Sequence, residues 1–455
     1  MRKYFGTDGI RSIANTELSP ELAYKVAKAG AYVLAKHSNH MPTILIGRDT
    51  RISGTLIESA MCAGFLSYGA NVKLLGVMPT PAVAYLTRKL NADASVVISA
   101  SHNSYEFNGI KFFSNLGMKI QDEIEEEIEE VMDNEEKMAE LYAKNEKIGT
   151  YENKEELIFE YVKMFENNFT KTIKNSNNSN FRVAIDVANG ATYKVAEDVF
   201  NALGISYEII NNTPDGININ ENCGSTHMQG LKKYVLENKM SLGIAYDGDG
   251  DRCLALDNEG NLIDGDIMIA IFSKYLAKNG KLNKNTLVAT IMSNMGLVKF
   301  AKENNLELKQ TKVGDRYVLE EMLKENYSIG GEQSGHVILL DYNPTGDGIL
   351  TSLMLIQILL EEGISLSELS KAMKVYPQVL VNVKIDNNKK KELDTNTRIL
   401  EARKTLEQDL SDNGRVVIRV SGTEPLIRVM LEGEDLEYID KKAKEMAKIV
   451  EEELN

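Results

Sequence analysis

Apolar and polar positions along the chain fall into a unit that recurs three times. A β-branched run at Thr43 to Ile46 leads into the polar turn Gly47-Arg48-Asp49-Thr50-Arg51. A helix is expected from Thr55, where Thr55 and Glu58 match the S/T-x-x-E cap. A strand over Asn71 to Leu75, a helix over Ala82 to Leu90 and an apolar strand from Ala94 to Ile98 complete the first copy. The order returns in Arg182 to Val187, a helix ending at Leu203, Ser206 to Ile210 and Ser241 to Tyr246. It returns again in Thr286 to Ile291, Leu297 to Asn304, Glu307 to Lys312 and Tyr327 to Ile329. Such a repeat predicts three similar α/β domains with mixed, largely parallel sheets.

After Leu369 the pattern changes. Strands at Leu380 to Ile385, Arg415 to Val420 and Ile427 to Leu431, with helices at Thr397 to Leu410 and Leu436 to Leu454, predict a smaller α+β domain. The expected domains are residues 1–150, 151–254, 255–369 and 370–455, set around a central cleft. Between the first two copies, Gln121 to Lys147 is rich in Glu, with Ile124, Ile128 and Val131 at helical spacing, and reads as a solvated helix closing the first domain. The tract Lys171 to Asn180 reads as a surface loop.

The repeat also locates candidate chemistry, because the third strand of each copy opens onto an unusual polar loop. These are Ser99-Ala100-Ser101-His102-Asn103, Asp247-Gly248-Asp249-Gly250-Asp251-Arg252 and Gly330-Gly331-Glu332-Gln333-Ser334-Gly335-His336. Ligands of open α/β sheets gather beyond the strand ends, so three such units packed together bring the loops into one cleft. Ser101 is then a candidate nucleophile delivered by a buried strand. Asp247, Asp249 and Asp251 alternate with glycines, so their carboxylates converge as hard oxygen ligands suited to Mg²⁺. An EF-hand is excluded, since Arg252 and Asn258 stand where its Gly and Glu belong.

Glu332 and Ser334 can bond sugar hydroxyls, and His336 can move a proton near neutral pH. His37 and His40 have no comparable setting. Lys111, between Ile110 and Phe112, points either to the surface or into the cleft as an acid/base or phosphate contact. Arg419-Val420-Ser421-Gly422-Thr423-Glu424-Pro425 and Arg428 offer hydroxyls, backbone N–H groups and guanidiniums for a phosphate dianion, or else form a hairpin with surface arginines.

Bulk properties narrow the class. The 455 residues exceed one core, and 43% hydrophobic with 26% charged residues describe a globular protein. A net charge of -15 opposes binding to nucleic acid or anionic lipid. The N-terminus lacks a signal-like apolar run, and Ile349 to Leu360, broken by Thr351, Ser352 and Gln357, is shorter than a membrane span needs. A cytoplasmic protein is expected. Cys62, Cys223 and Cys253 have no metal-ligand or CxxC spacing and read as reduced, packed thiols.

The four loops together resemble, in content and order, those of the α-D-phosphohexomutase superfamily, from end to end of the chain. Gln333, the opening Phe5-Gly6-Thr7-Asp8-Gly9-Ile10-Arg11 and Val77-Met78-Pro79-Thr80-Pro81-Ala82-Val83-Ala84-Tyr85 resemble its glucosamine-phosphate branch, with glucose and mannose phosphates as the alternative substrates. Ser12, Ser104 and Val420 depart from the usual Gly, Pro and Pro without removing a charge.

The resemblance implies a phosphoserine at Ser101, Mg²⁺ held by Ser101, Asp247, Asp249 and Asp251, and a glucosamine (or glucose) 1,6-bisphosphate as the priming intermediate. Arg11, Lys111, Arg252 and His336 join Ser101 in catalysis. His102, Glu332, Ser334, Arg419, Ser421, Gly422, Thr423 and Arg428 bind substrate. The implied partner is a phosphosugar, with a homodimer left open and product use in UDP-N-acetylglucosamine and cell-wall precursor supply. A phosphosugar-binding protein without turnover is the rival of another class, and it has no need of a nucleophile.

Overall fold

The computed structural model describes residues 3–6, 8–36, 38–175, 180–421 and 425–454, apart from the side chains of Asn175 and Asn387. Three sheets carry the repeat. In the first, Ala94–Ile98 lies parallel to Thr43–Arg48, which lies parallel to Asn71–Val77. The second repeats this order with Leu242–Tyr246, Val183–Asp186 and Tyr207–Ile210, and the third with Ile329–Gly331, Thr286–Thr290 and Glu307–Thr311. In each, the third strand of the copy also pairs with an antiparallel return strand: Phe107–Ser114, Cys253–Leu256 or Val337–Leu339. The chain between third strand and return strand is the polar loop, so topology puts Ser101, the three aspartates and Glu332 at equivalent corners.

One apolar core runs through all three units, joining Leu45 and Val97 to Tyr161, Ile185 and Tyr246 and on to Leu287, Leu353 and Ile356. The helix Gly348–Glu362 crosses this core with 11 of its 15 residues buried. No single helix among the described residues is long and apolar enough to cross a membrane. The fourth unit is separate. Its sheet of Gln378–Lys384, Leu426–Gly433 and Gly414–Val420 packs under the helices Thr397–Leu410 and Leu436–Leu454 on its own core of Ile427, Val429, Met446 and Val450.

Four expectations are corrected. The division at 150 separates Tyr151–Asn153 from the first sheet, where it pairs with Asn71–Val77. The division at 254 cuts Cys253–Leu256, which belongs with Leu262–Ile263 to the second sheet. Edge strands are assigned by ladder partners distant in sequence, which periodicity does not reveal. The acidic tract is two helices, Asp122–Asp133 and Glu135–Glu140, because Asn134 leaves helical backbone and caps the second through Lys137 N. Finally, the Thr55/Glu58 cap does not form: the helix Gly54–Tyr68 starts at Ser53, and Glu58 accepts from Arg48 Nε at 3.2 Å.

Candidate active site

Ser101 lies three residues past the end of its buried strand and adopts φ 51°, a left-handed backbone uncommon for a side chain larger than glycine. Such a conformation persists only where the surroundings over-determine it. Here they do. Arg51, fully buried, donates through Nη2 to the carbonyls of Ser101 and Asn103, each at 2.9 Å, and through Nη1 to that of Ser104. Its Nε bonds Asp49 Oδ2 at 2.9 Å, and the same oxygen accepts from Ser99 Oγ at 2.5 Å. Asn220 reaches across from the second unit to the Ser101 and Asn103 carbonyls, each at 2.9 Å.

The loop is thereby pressed onto the aspartate cluster. Ser101 Oγ donates to Asp247 Oδ2 at 2.5 Å. Gly248 lies so close that a Cβ there would sit 2.5 Å from the Ser101 carbonyl oxygen. One carboxylate oxygen from each of Asp247, Asp249 and Asp251 lies within 4.8 Å of the others, and all three residues are buried. Asp249 Oδ2 accepts from Thr80 Oγ1 at 2.7 Å and Lys111 Nζ at 2.9 Å, whereas Asp249 Oδ1 and Asp251 Oδ1 are buried with no hydrogen-bond partner. Convergent hard oxygens with unused lone pairs fit a divalent cation. Burial, with Asp251 and Asp249 alongside, pushes the Asp247 carboxyl well above its ordinary range.

Lys111 resolves to the cleft alternative. It is buried, with Nζ 2.9 Å from Asp249, 3.2 Å from Asp8 and 3.9 Å from Asp251. Burial works to lower its pKa, but these carboxylates outweigh it and hold the ammonium charged. Lys111 is therefore a donor and a fixed positive charge. Arg252 donates its backbone N–H to Asp247 Oδ1 at 3.1 Å and sits 3.8 Å from Asp251, which with Asp247 keeps it cationic against burial. His102 Nδ1 lies 3.4 Å from Ser101 Oγ, and burial, with Arg252 and Arg11 nearby, lowers its pKa to about 4. The imidazole is neutral at physiological pH. Arg11 pairs with Asp8 at 2.6 Å on a strand opposite Gly109.

The sugar-loop candidates form a second wall. Glu332 accepts from Gly314 N at 3.2 Å and is shifted upward by burial, while Ser334 Oγ is buried with no hydrogen-bond partner. His336, expected beside Ser101, makes its contacts elsewhere: Nε2 accepts from Gly346 N at 3.2 Å and lies 3.5 Å from Asp315. It reaches the aspartates through Asp315, Lys119 and Asp8, since Lys119 bridges the two carboxylates and Asp8 meets Lys111. In the fourth unit Arg419 and Arg428 are cross-strand partners, and Ser421 follows the strand, buried, its carbonyl accepting from Lys390 Nζ at 3.0 Å. Gly422 and Thr423 lie outside the described residues.

Family models cover nearly the whole chain. Those for phosphoglucomutase/phosphomannomutase alpha/beta/alpha domains I, II and III match residues 2–139, 159–260 and 264–376, and that for the C-terminal domain matches 380–449. The chain belongs to the phosphoglucomutase/phosphomannomutase family. A phosphoglucosamine mutase of Caldicellulosiruptor saccharolyticus is 52% identical over 455 residues, covering 100% of both chains. Another, of Acetivibrio thermocellus, is 51% identical over 455 residues with the same coverage. Among solved structures, a phosphoglucomutase/phosphomannomutase family protein of Burkholderia thailandensis superposes with a TM-score of 0.82 at 19% identity, covering 100% of this chain and 99% of its own.

In this family member several site residues escape a motif reading. Asp49 and Arg51 stand in a turn visible in the sequence, but the partners that give them meaning lie about fifty positions away. Asp8 stands in the opening motif, but Lys119 and Asp315, the latter at the start of the helix Asp315–Glu325, carry no local signature that joins them to it. Burial pushes the Cys62 thiol up to about 11 and the Cys223 thiol up to about 12, which suits packed, unreactive cysteines.

Proposed function

We propose that this chain interconverts glucosamine 6-phosphate and glucosamine 1-phosphate, in the cytoplasm, through a phosphoserine at Ser101 and a bound glucosamine 1,6-bisphosphate. The observation that carries this reading is the 2.5 Å hydrogen bond from Ser101 Oγ to Asp247 inside a buried three-aspartate cluster. A binding protein has no use for a strained, cross-braced serine at a cation site. The full-length relatives named as phosphoglucosamine mutases support the choice of sugar.

Phosphoryl transfer depends on positioning and charge neutralisation more than on covalent assistance. Asp247, Asp249 and Asp251, with an oxygen on Ser101, would hold Mg²⁺, which draws charge from the phosphoryl oxygens as a Lewis acid. Lys111 and Arg252, both held cationic, flank the transferring group and stabilise charge developing there. In the first half-reaction the bond from phosphorus to Ser101 Oγ breaks and one to the sugar 1-oxygen forms. The sugar hydroxyl gives up its proton and Ser101 Oγ regains one. After the bisphosphate turns over, Ser101 Oγ attacks the 6-phosphoryl group, its proton passing to the departing sugar oxygen.

Glu332 and Ser334 contact hydroxyls in both orientations, and His336 donates or accepts at the ring. Arg419, Ser421 and Arg428, with Gly422 and Thr423, hold whichever phosphate is distal. His102 and Arg11 face the proximal one. The substrate is a free phosphosugar, in keeping with a net charge of -15 that disfavours nucleic acid and anionic membranes.

Phosphorus NMR of the purified protein with Mg²⁺, a trace of hexose 1,6-bisphosphate and one of glucosamine, glucose or mannose 6-phosphate tests the proposal. Expected is a 1-phosphate signal growing fastest with glucosamine. Fastest growth with glucose or mannose would overturn the substrate, and no 1-phosphate from folded, Ser101-phosphorylated protein would overturn the activity.

A further inference from the structure

The fourth unit carries the phosphate-cradle candidates, yet among the described residues no helix or strand of it packs broadly against the other three units. Among the described residues its hydrogen bonds to the body gather at one place. Glu432, entirely buried, lies on the central strand between Gln378 and Arg415 on the two flanking strands. Its Oε2 accepts from Met295 N of the third unit at 3.0 Å and also from Arg415 Nε. Arg415 continues into the third unit, donating through Nη1 to the Ile291 carbonyl at 3.1 Å and through Nη2 to that of Ser293. Beside them Asn294 clasps the connecting segment, giving Nδ2 to Tyr376 O at 2.9 Å and taking Tyr376 N on Oδ1 at 3.0 Å. Gly296 completes the fit, since a Cβ there would run into the Lys374 carbonyl.

Two features make this more than an attachment. In a strand, residues two and four apart share a face, so Glu432 lies on the face of Arg428, and Arg415 on the face of Arg419. At a strand rise of ~3.3 Å per residue, clasp and cradle stand about 13 Å apart on one stiff sheet. Any tilt at the clasp is therefore transmitted to the cradle. On the body side, Asn294 N donates to Asp266 Oδ2 at 2.6 Å in the first turn of Gly265–Lys278. The cap of that helix, Asp264, accepts from Gln333 Nε2 of the sugar loop at 3.1 Å. The clasp and the sugar loop thus bear on the same helix start.

We infer that Arg415 and Glu432 are positioning residues whose clasp sets the reach between the phosphate cradle and the sugar loop, and so retains the bisphosphate in the cleft while it reorients. This rests on the mutase reading above. Neither residue touches substrate; both act through the placement of Arg419 and Arg428. Losing the clasp leaves the Ser101 chemistry in place but lets the bisphosphate escape between its two half-reactions.

The test compares wild type with Arg415→Ala, Arg415→Lys and Glu432→Gln, reading kcat, KM for glucosamine 6-phosphate and the free 1,6-bisphosphate released per turnover. Arg415→Ala and Glu432→Gln are expected to raise KM and released bisphosphate about tenfold to a hundredfold, as remote misplacement does. The first half-reaction, followed as loss of phosphate from Ser101 at saturating substrate, is expected to change far less. Arg415→Lys, which keeps a cation opposite Glu432, recovers part of the loss. Should Arg415→Ala fail to fold, the two shape-conserving variants carry the test. A folded variant with a lowered melting temperature but wild-type KM and bisphosphate release would overturn the inference. A wild-type protein that forms no 1-phosphate would instead overturn the mutase reading beneath it.

Discussion

The serine loop and the proposed phosphate cradle are built on opposite principles. Ser101 is held by hydrogen bonds from Arg51 and Asn220, pressed against Gly248 and buried in a body whose three units share one core. Arg419 and Arg428 ride on a unit with its own core, joined to the body through the clasp at Glu432 and Arg415. The difference matches what each must do in the proposed reaction. In-line phosphoryl transfer tolerates little displacement, whereas a cradle that receives first one phosphate and then the other must yield and return.

The largest break falls on the rigid side. Ser101→Ala is expected to lower mutase turnover by about 10⁴-fold or more while leaving the fold and bisphosphate binding intact, as steady-state rates and a binding titration would show. Near-normal turnover would remove Ser101 from the chemistry. Next is Arg51→Met, which strands Asp49 in the interior. Breaking one side of a buried ion pair costs about 3–5 kcal/mol, so denaturant unfolding should show a loss of that order together with a reduced kcat. An unchanged kcat in folded Arg51→Met protein would mean that the serine loop keeps its shape without the brace.

Asp249→Asn sharpens the metal reading, because one ligand charge is lost while the shape is kept. The Mg²⁺ concentration for half-maximal activity should rise by about tenfold or more, and an unchanged metal dependence would contradict the site. The last break falls on the fourth unit. Arg428→Ala should weaken glucosamine 6-phosphate and glucosamine 1-phosphate alike, by the roughly 1.5–3 kcal/mol of a charge-assisted hydrogen bond. A loss confined to one of them would argue against a shared cradle.

Much of this was legible in the sequence because the repeat is periodic and its loops are compositionally odd. Three copies of one pattern predict three related sheets, and Asp-Gly alternation after an apolar strand predicts converging carboxylates. What stayed hidden depends on distance along the chain. Arg51 gains its role from the carbonyls of Ser101, Asn103 and Ser104. Glu58 looks like a helix cap until Arg48 claims it. The logic of the repeat points His336 toward Ser101, yet Gly346 and Asp315 take its Nε2. Glu432 and Arg415 read as ordinary strand residues, and only the packing of the fourth unit on Ile291 to Met295 gives them a partner.

The central claim is that Ser101 carries the phosphoryl group given to the sugar. The most direct measurement charges Ser101 with isotopically labelled phosphate, mixes the protein with unlabelled glucosamine 6-phosphate and Mg²⁺, and quenches within one turnover. The account predicts that the label leaves Ser101 and appears on the 1-oxygen, first in the bisphosphate and then in glucosamine 1-phosphate. Label that stays on the serine, or emerges as inorganic phosphate with no labelled sugar, would contradict it.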